Sequence, residues 1–163
     1  RSTGEVLGVG HDFMQALYKG FTAAGTTIPE PGANILVTVC DRDKEAFLPL
    51  AKRMAAMHCK FIATSGTADF LEKNGIRVQR SKKISEGVPN VQDVIRSGML
   101  DLMIDIPKKG NNDHSDGFQI RRTAAECSVS LLTSLDTAGA LVSVMEKGYT
   151  PKETEVIAVE DIK

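Results

Sequence analysis

The sequence lacks long hydrophobic runs: no apolar stretch approaches the roughly 18 residues that a membrane helix needs. It also lacks an excess of either charge, since 20 basic and 21 acidic side chains give a formal net charge of -1. General nucleic-acid binders usually show a basic excess, so this balance argues against that class. Together the two absences predict a protein that binds neither membrane nor nucleic acid.

Tryptophan is absent, and cysteine is scarce: the three cysteines are Cys40, Cys59 and Cys127. The odd count and the lack of any CxxC pair predict no zinc site and favour reduced, mostly buried thiols in a cytoplasmic protein. The chain begins RSTGEVLGVG, with neither an initiator methionine nor an apolar leader. We therefore expect a piece of a longer chain, with 163 residues that suit a single domain around one core.

Short apolar, often β-branched segments alternate with helical patterns along the chain. Strands are predicted at residues 35–39, 60–64, 76–79, 100–106 and 130–134. Helices are predicted from a cap at residue 12 to about 24, from a cap at Asp41 or Asp43 through Met54, and at 67–73, 90–97, 118–127 and 135–147. This alternation predicts an α/β fold, with a mainly parallel five-stranded sheet covered by helices on both faces.

Ligands of parallel α/β sheets collect at the carboxyl ends of the strands. The side chains that follow the predicted strands include Lys44, Thr64, Ser65, Gly66, Thr67, Lys83, Asp105 and Thr133. Among them, residues 64–67 combine three hydroxyls with a glycine where a helix begins, which suits an anion. The alternative is that Thr67 caps a helix and Gly66 makes a turn. The segment lacks GxxxxGK[ST], so it is not a Walker loop.

Two further groups are weaker signals. Arg121 and Arg122 are neighbours on a helix and point to different faces, so one of them could pin a carboxylate or a ligand, or both could lie on a salt-bridged surface. Asp113, His114 and Asp116 could bind a metal, but this spacing in a polar loop favours surface residues, and no metal site is predicted.

The order of motifs resembles one family. STGEVLGVG opens the chain, TSGTADFLEKNGI follows the second strand, and QIRRTAAECSVSLLTS precedes and contains the last one. Over essentially its whole length the chain resembles the carboxyl-terminal regulatory domain of the carbamoyl phosphate synthase large subunit, which has the methylglyoxal-synthase-like fold. The resemblance implies three segments: a linker and first helix from the preceding synthetase domain at 1–25, the regulatory domain at 26–147, and a tail at 148–163.

The resemblance also implies a function. The parent ligase makes carbamoyl phosphate from glutamine or ammonia, bicarbonate and two ATP, for pyrimidine and arginine synthesis. This domain would be its non-catalytic allosteric receptor, needing no cofactor, whereas the parent uses ATP with Mg or Mn. Implied effectors are a UMP-like inhibitor and IMP or phosphoribosyl pyrophosphate as activators. Implied partners are the catalytic domains of the same subunit and the small glutaminase subunit. The implied phosphate site comprises Lys44, Thr64, Ser65, Gly66, Thr67 and Lys83.

Two departures from related sequences matter. Bacterial relatives carry an Asn-Thr-Thr run after the fourth strand, where this chain has Asp105, Ile106 and Pro107. An Asp there would repel a phosphate unless it faces a ribose or a base. Methylglyoxal synthase supplies its catalytic base from a Gly-Gly-Asp turn, where this chain has Gly87, Val88 and Pro89. A regulatory domain is therefore predicted first; the alternatives are a methylglyoxal-synthase-like lyase and a docking domain with a degenerate effector site.

Overall fold

The structure is a computed structural model that describes residues 6–108 and 116–149. The strands are β1 (Asn34–Val39), β2 (Lys60–Thr64), β3 (Val78–Ser81), β4 (Leu102–Ile106) and β5 (Leu131–Leu132). The helices are α1 (Phe13–Ala23), α2 (Lys44–Ala56), α3 (Ser65–Lys73), α4 (Val91–Arg96), α5 (Asp116–Glu126) and α6 (Leu135–Lys147). Short 3₁₀ turns at Asp41–Asp43 and Ile84–Glu86 complete the described elements.

The five strands form one sheet in the order β3-β2-β1-β4-β5, and each described pair is parallel. The chain first moves from β1 outward to β3, then crosses back to β4 on the other side of β1. This reversal puts a topological switch point between β1 and β4, where ligands of open α/β sheets usually bind. The predicted α/β class with a parallel five-stranded sheet is confirmed.

Both faces of the sheet are covered. One hydrophobic cluster contains Phe47, Met54 and Leu141 from the helices α2 and α6, together with Tyr18 and Phe21 of α1. The opposite cluster contains residues of α4 and α5, with sheet residues beneath them: Leu36, Ile62, Val91, Ile95, Met103, Ile120 and Ala124. Because helices cover both faces, all five residues of β4 are buried, and the central strands read as nearly continuous apolar runs.

Some predicted boundaries need correction. Asp43, one of the two predicted caps, is the N-cap residue of α2, although its side chain makes no capping hydrogen bond, and Asp41 begins the 3₁₀ turn that precedes the helix. The Asp43 carboxylate instead accepts hydrogen bonds from Arg42 at 3.0 and 3.2 Å. β4 begins at residue 102 rather than 100, and just ahead of it the Asp101 carboxylate accepts a hydrogen bond from the backbone N–H of Asn34 at 2.7 Å.

The end of the chain differs in detail from the prediction. β5 is shorter than expected, and α5 begins two residues earlier. The predicted tail lies outside the described residues from position 150 onward, and the domain boundaries at 25 and 147 stay predictions. Within residues 6–108 and 116–149, no helix has the length and apolar character to span a bilayer.

Candidate functional site

A cavity of about 390 Å³ opens at the carboxyl ends of β1, β2 and β4, at the switch point. Of the predicted site residues, its lining contains Lys44, Thr64, Gly66, Thr67, Lys83 and Asp105. Ser65 stands between two of these as the first residue of α3. Thr133 follows β5 in an exposed position, and it is not among the residues that line the cavity.

The first turn of α3 offers backbone N–H groups to the cavity. α3 begins at Ser65, immediately after the last residue of β2, and its N-cap Thr64 is extended and makes no side-chain capping bond. The first N–H groups of a helix have no partner within the helix, so an uncapped start leaves them available to a ligand. The Thr67 hydroxyl has a different use: it accepts the Val39 N–H at 3.1 Å and so ties this turn to β1.

Lys44 lies across this turn. Its ammonium donates to the Gly66 carbonyl at 2.6 Å and contacts the Asp41 carboxylate at 2.7 Å. The side chain is only 14% exposed, whereas that of Asp41 is 86% exposed. The pKa of Asp41 is lowered by the hydrogen bond from Lys44 and then by the charge of the same lysine. The ammonium is thus held beside the uncapped turn by a carboxylate that faces solvent.

Lys83 brings a second ammonium to the cavity from the end of β3. Its backbone N–H donates to the Glu86 side chain at 2.8 Å, which fixes the 3₁₀ turn that follows. The residue is exposed, and no ion pair within the described part of the chain engages its ammonium. The next turn, where methylglyoxal synthase would carry its base, is exposed at Gly87, Val88 and Pro89 and lies outside the cavity lining.

Asp105 forms the β4 side of the cavity. Its carboxylate accepts one hydrogen bond from the Thr38 hydroxyl and another from Arg121 at 2.8 Å. Arg121 therefore pins a carboxylate, one of the two roles that the sequence left open, whereas Arg122 pairs with Glu126 on the surface at 2.8 Å. The sequence did not identify Thr38 as part of the site. The available signal was a polar residue within the apolar run ILVTV that ends β1.

The cavity lining also contains Cys40, which no sequence signal selected, and three residues that follow predicted strands or belong to the weak metal signal but were not assigned to the site: Asp41, Lys108 and Asp116. Burial, followed by the hydrogen bond to Asp43, raises the pKa of the Cys40 thiol. The protonated sulfur donates to the Asp43 carboxylate at 3.1 Å, which is a structural use of this cysteine. Asp113 and His114 of the weak metal signal lie outside the described residues, and residues 6–108 and 116–149 hold no cluster of three potential metal ligands.

Comparison with known proteins identifies the family of the chain. A family model described as MGS-like domain matches residues 46–133, more than half of the chain. The chain belongs to the MGS-like domain family. This MGS-like chain is 48% identical, over 90% of its length, to the "Carbamoyl phosphate synthase large chain" of Clostridium botulinum (strain Loch Maree / Type A3). It is 44% identical, over 98% of its length, to the protein of the same name from Clostridium beijerinckii.

These relatives are much longer proteins. The MGS-like chain spans 14% of the C. botulinum protein and 15% of the C. beijerinckii protein. Among solved structures, methylglyoxal synthase from Elizabethkingia anophelis matches 81% of this chain and 90% of its own, with a TM-score of 0.57 and 19% identity. That likeness concerns the fold alone. The resemblance found in the sequence, to an MGS-like domain of the carbamoyl phosphate synthase large subunit, is confirmed.

Proposed function

We propose that this MGS-like domain is an allosteric receptor that binds a phosphate-bearing effector at the carboxyl end of its sheet. The observation that carries the proposal is the placement of the Lys44 ammonium across the uncapped first turn of α3. Backbone N–H groups at a helix start and the positive end of the helix dipole both favour an anion there. The Lys83 ammonium lines the same cavity and adds a second positive charge.

The cavity has the size of a small-molecule site. Its volume of about 390 Å³ lies within the ~300–1,000 Å³ that is usual for ligand pockets. The proposed effectors are a UMP-like inhibitor and IMP or phosphoribosyl pyrophosphate as activators. Each combines a phosphate with a sugar, and the cavity combines three lysines, Lys44, Lys83 and Lys108, with the polar side chain of Asp105.

The wider setting is part of the proposal. The domain would act within a cytoplasmic large chain that makes carbamoyl phosphate for pyrimidine and arginine synthesis, using ATP with Mg or Mn. Its partners would be the catalytic domains of the same chain and a small glutaminase subunit. An effector changes the activity of such an enzyme only if it binds two conformations with different affinities.

Calorimetric titration tests the proposal. UMP, IMP, phosphoribosyl pyrophosphate and inorganic phosphate are added separately to the 163-residue chain, and thermal unfolding is measured with the same ligands. We expect saturable heat and a raised unfolding temperature with at least one sugar phosphate. If every ligand at millimolar concentration gives no heat and no thermal shift, effector binding is refuted and a docking domain with a degenerate site is favoured.

The lyase alternative is tested with dihydroxyacetone phosphate. That chemistry needs a carboxylate base that is free to take a proton from carbon. The turn where methylglyoxal synthase carries its base has no acid here, at Gly87, Val88 and Pro89. Of the three carboxylates that line the cavity, Asp41 and Asp105 are paired with cations, and Asp116 at the start of α5 is the third. We therefore expect no methylglyoxal above the background without protein. Turnover that saturates with substrate and is lost on replacement of a cavity carboxylate would favour the lyase instead.

Substitution of Lys83 by alanine is expected to weaken binding of the phosphate effector several-fold. The loss is moderate because this ammonium is exposed and its attraction to the phosphate is partly screened by solvent. The matched control is Lys82→Ala, which removes the same charge from the neighbouring exposed residue outside the cavity lining. If calorimetry gives equal phosphate affinities for the two variants, Lys83 does not contact the effector.

Substitution of Asp41 by asparagine is expected to strengthen phosphate binding several-fold. The Asp41 carboxylate is already paired with the Lys44 ammonium, so an incoming phosphate must compete with this carboxylate. Because the pKa of Asp41 is lowered, this competition is present at neutral pH and is lost only when acid protonates the carboxylate. The affinity gained by Asp41→Asn should therefore shrink as the pH falls. Weaker binding by the variant at neutral pH would show that Asp41 supports the ligand.

A further inference from the structure

The carboxylate of Asp105 is an unusual group in the lining of a cavity proposed to bind phosphate, because both carry negative charge. The residue is 5% exposed, yet it belongs to the cavity lining. An uncompensated buried carboxylate would repel a phosphate strongly, because charges interact over longer range where water is excluded. Arg121 removes this problem: its guanidinium donates to one carboxylate oxygen at 2.8 Å, and the Thr38 hydroxyl donates to the other.

The proposed phosphate cradle is the start of α3, residues 64–67, together with Lys44. The sheet register shows how far the Asp105 carboxylate lies from it. Leu36 of β1 is paired with Ile62 of β2 and with Met103 of β4, so these three residues form one row across the sheet. Two residues further along, Thr38 of β1 is paired with Asp105 of β4, and Thr64 ends β2 two residues beyond Ile62. Asp105 and Thr64 are therefore two inter-strand spacings apart, roughly 10 Å. A ligand that contacts both ends must carry a carbon skeleton beyond its phosphate.

An ionised carboxylate only accepts hydrogen bonds, and its two oxygens offer about four lone-pair positions. Thr38 and Arg121 take one bond on each oxygen, which leaves acceptor capacity on a residue that lines the cavity. A ligand hydroxyl can donate to this capacity. A carbonyl, a carboxylate or a second phosphate cannot donate to it, since each presents only acceptor atoms there.

We propose that Arg121 is a positioning residue that neutralises and orients Asp105, so that Asp105 selects phosphates bearing hydroxyl groups over phosphates without them. The ligand class is then a sugar phosphate, recognised at one end by Lys44 and the start of α3 and at the other by Asp105. This inference rests on the proposed phosphate site and adds the basis of its selectivity. The contribution of Arg121 acts through the charge and orientation of Asp105.

The experiment compares two probes, ribose 5-phosphate and inorganic phosphate, by calorimetry on the 163-residue chain. The unmodified protein should prefer ribose 5-phosphate by roughly tenfold or more, as expected for a hydrogen bond to a charged group. Asp105→Asn should bring the two affinities closer together, because its amide offers a donor and a weaker acceptor. Arg121→Gln should weaken both probes, because the carboxylate then repels the phosphate.

Rescue distinguishes positioning from general damage to the fold. Arg121→Lys keeps the charge and should retain part of the preference, and Asp105→Asn added to Arg121→Gln should restore affinity for inorganic phosphate. Arg122→Gln on the exposed side of α5 is the matched control, and thermal unfolding checks that each variant folds. A folded Arg121→Gln protein with unchanged affinities for both probes would overturn the inference.

The two proposals fail in different ways. If the unmodified protein binds both probes with equal affinity, or if Asp105→Asn leaves the preference as it was, the selectivity inference is overturned and the phosphate site stands. If neither probe binds and the nucleotide effectors also give no signal, the phosphate site itself is refuted, and the selectivity inference falls with it.

Discussion

Replacement of Lys44 by methionine is expected to lower affinity for phosphate effectors about hundredfold, since hydrogen bonds to charged groups contribute roughly 1.5–3 kcal/mol each. Two effects act in the same direction. The ammonium beside the first turn of α3 is lost, and the Asp41 carboxylate, which it contacts at 2.7 Å, becomes an unpaired negative charge near the incoming phosphate. Methionine keeps most of the length and packing of the lysine stem, so the fold should survive.

The measurement is calorimetric titration with the effector that binds the unmodified protein most tightly. Lys52→Met is the matched control, because Lys52 is an exposed residue of the same helix, α2, and does not line the cavity. It removes one positive charge from the protein without touching the site. If both variants lose affinity equally, the effect is one of net charge, and Lys44 is not a ligand.

Replacement of Gly66 by alanine is expected to produce opposite effects on stability and on binding. A Cβ added at this position meets only the Lys44 ammonium, at 3.7 Å, among non-neighbouring heavy atoms within 4 Å. The methyl group would therefore occupy the space between the lysine and the first turn of α3, and phosphate affinity should fall by roughly tenfold through lost hydrogen bonds. Stability should rise by up to about 1 kcal/mol, since alanine restricts the unfolded chain.

The stability of the Gly66→Ala protein is followed by denaturant unfolding and its affinity by calorimetry. Gly20→Ala in α1 is the matched control, because a Cβ there has no heavy atom within 4 Å other than those of its neighbours and its own helix. It should gain stability and keep its affinity. A Gly66→Ala protein that binds phosphate as tightly as the unmodified chain would place the ligand away from this turn.

The strands were the most predictable part of the fold. Short apolar runs in a parallel sheet are buried on both faces, so β1 and β2 were visible in composition alone, and β2 was predicted to the residue. The rule that ligands gather at strand ends then selected Lys44, Lys83 and the start of α3 before any geometry was known. The order of the elements in the sequence was enough to bring these residues to one edge of the sheet, because the connection rules for parallel strands leave few alternatives.

The uses of individual polar side chains were not predictable in the same way. Thr67 could equally cap a helix or bind a ligand, and its oxygen in fact holds Val39. Asp41 could cap α2, and instead it holds the lysine of the site. Arg121 meets Asp105 only because α5 packs over β4, and these residues are 16 positions apart in sequence. Such pairings depend on the positions of elements relative to one another, which local pattern does not contain.

The direct junction of β2 with α3 bears on how fast an effector can associate. Thr64 ends the strand and Ser65 begins the helix, so no hinge segment separates the cradle from the sheet. For the proposed phosphate effector, the N–H groups would already be in place before binding, and the remaining step would be exchange of the Asp41 carboxylate for the phosphate on Lys44. The association rate is therefore expected to be governed by diffusion and charge, and to fall as ionic strength rises.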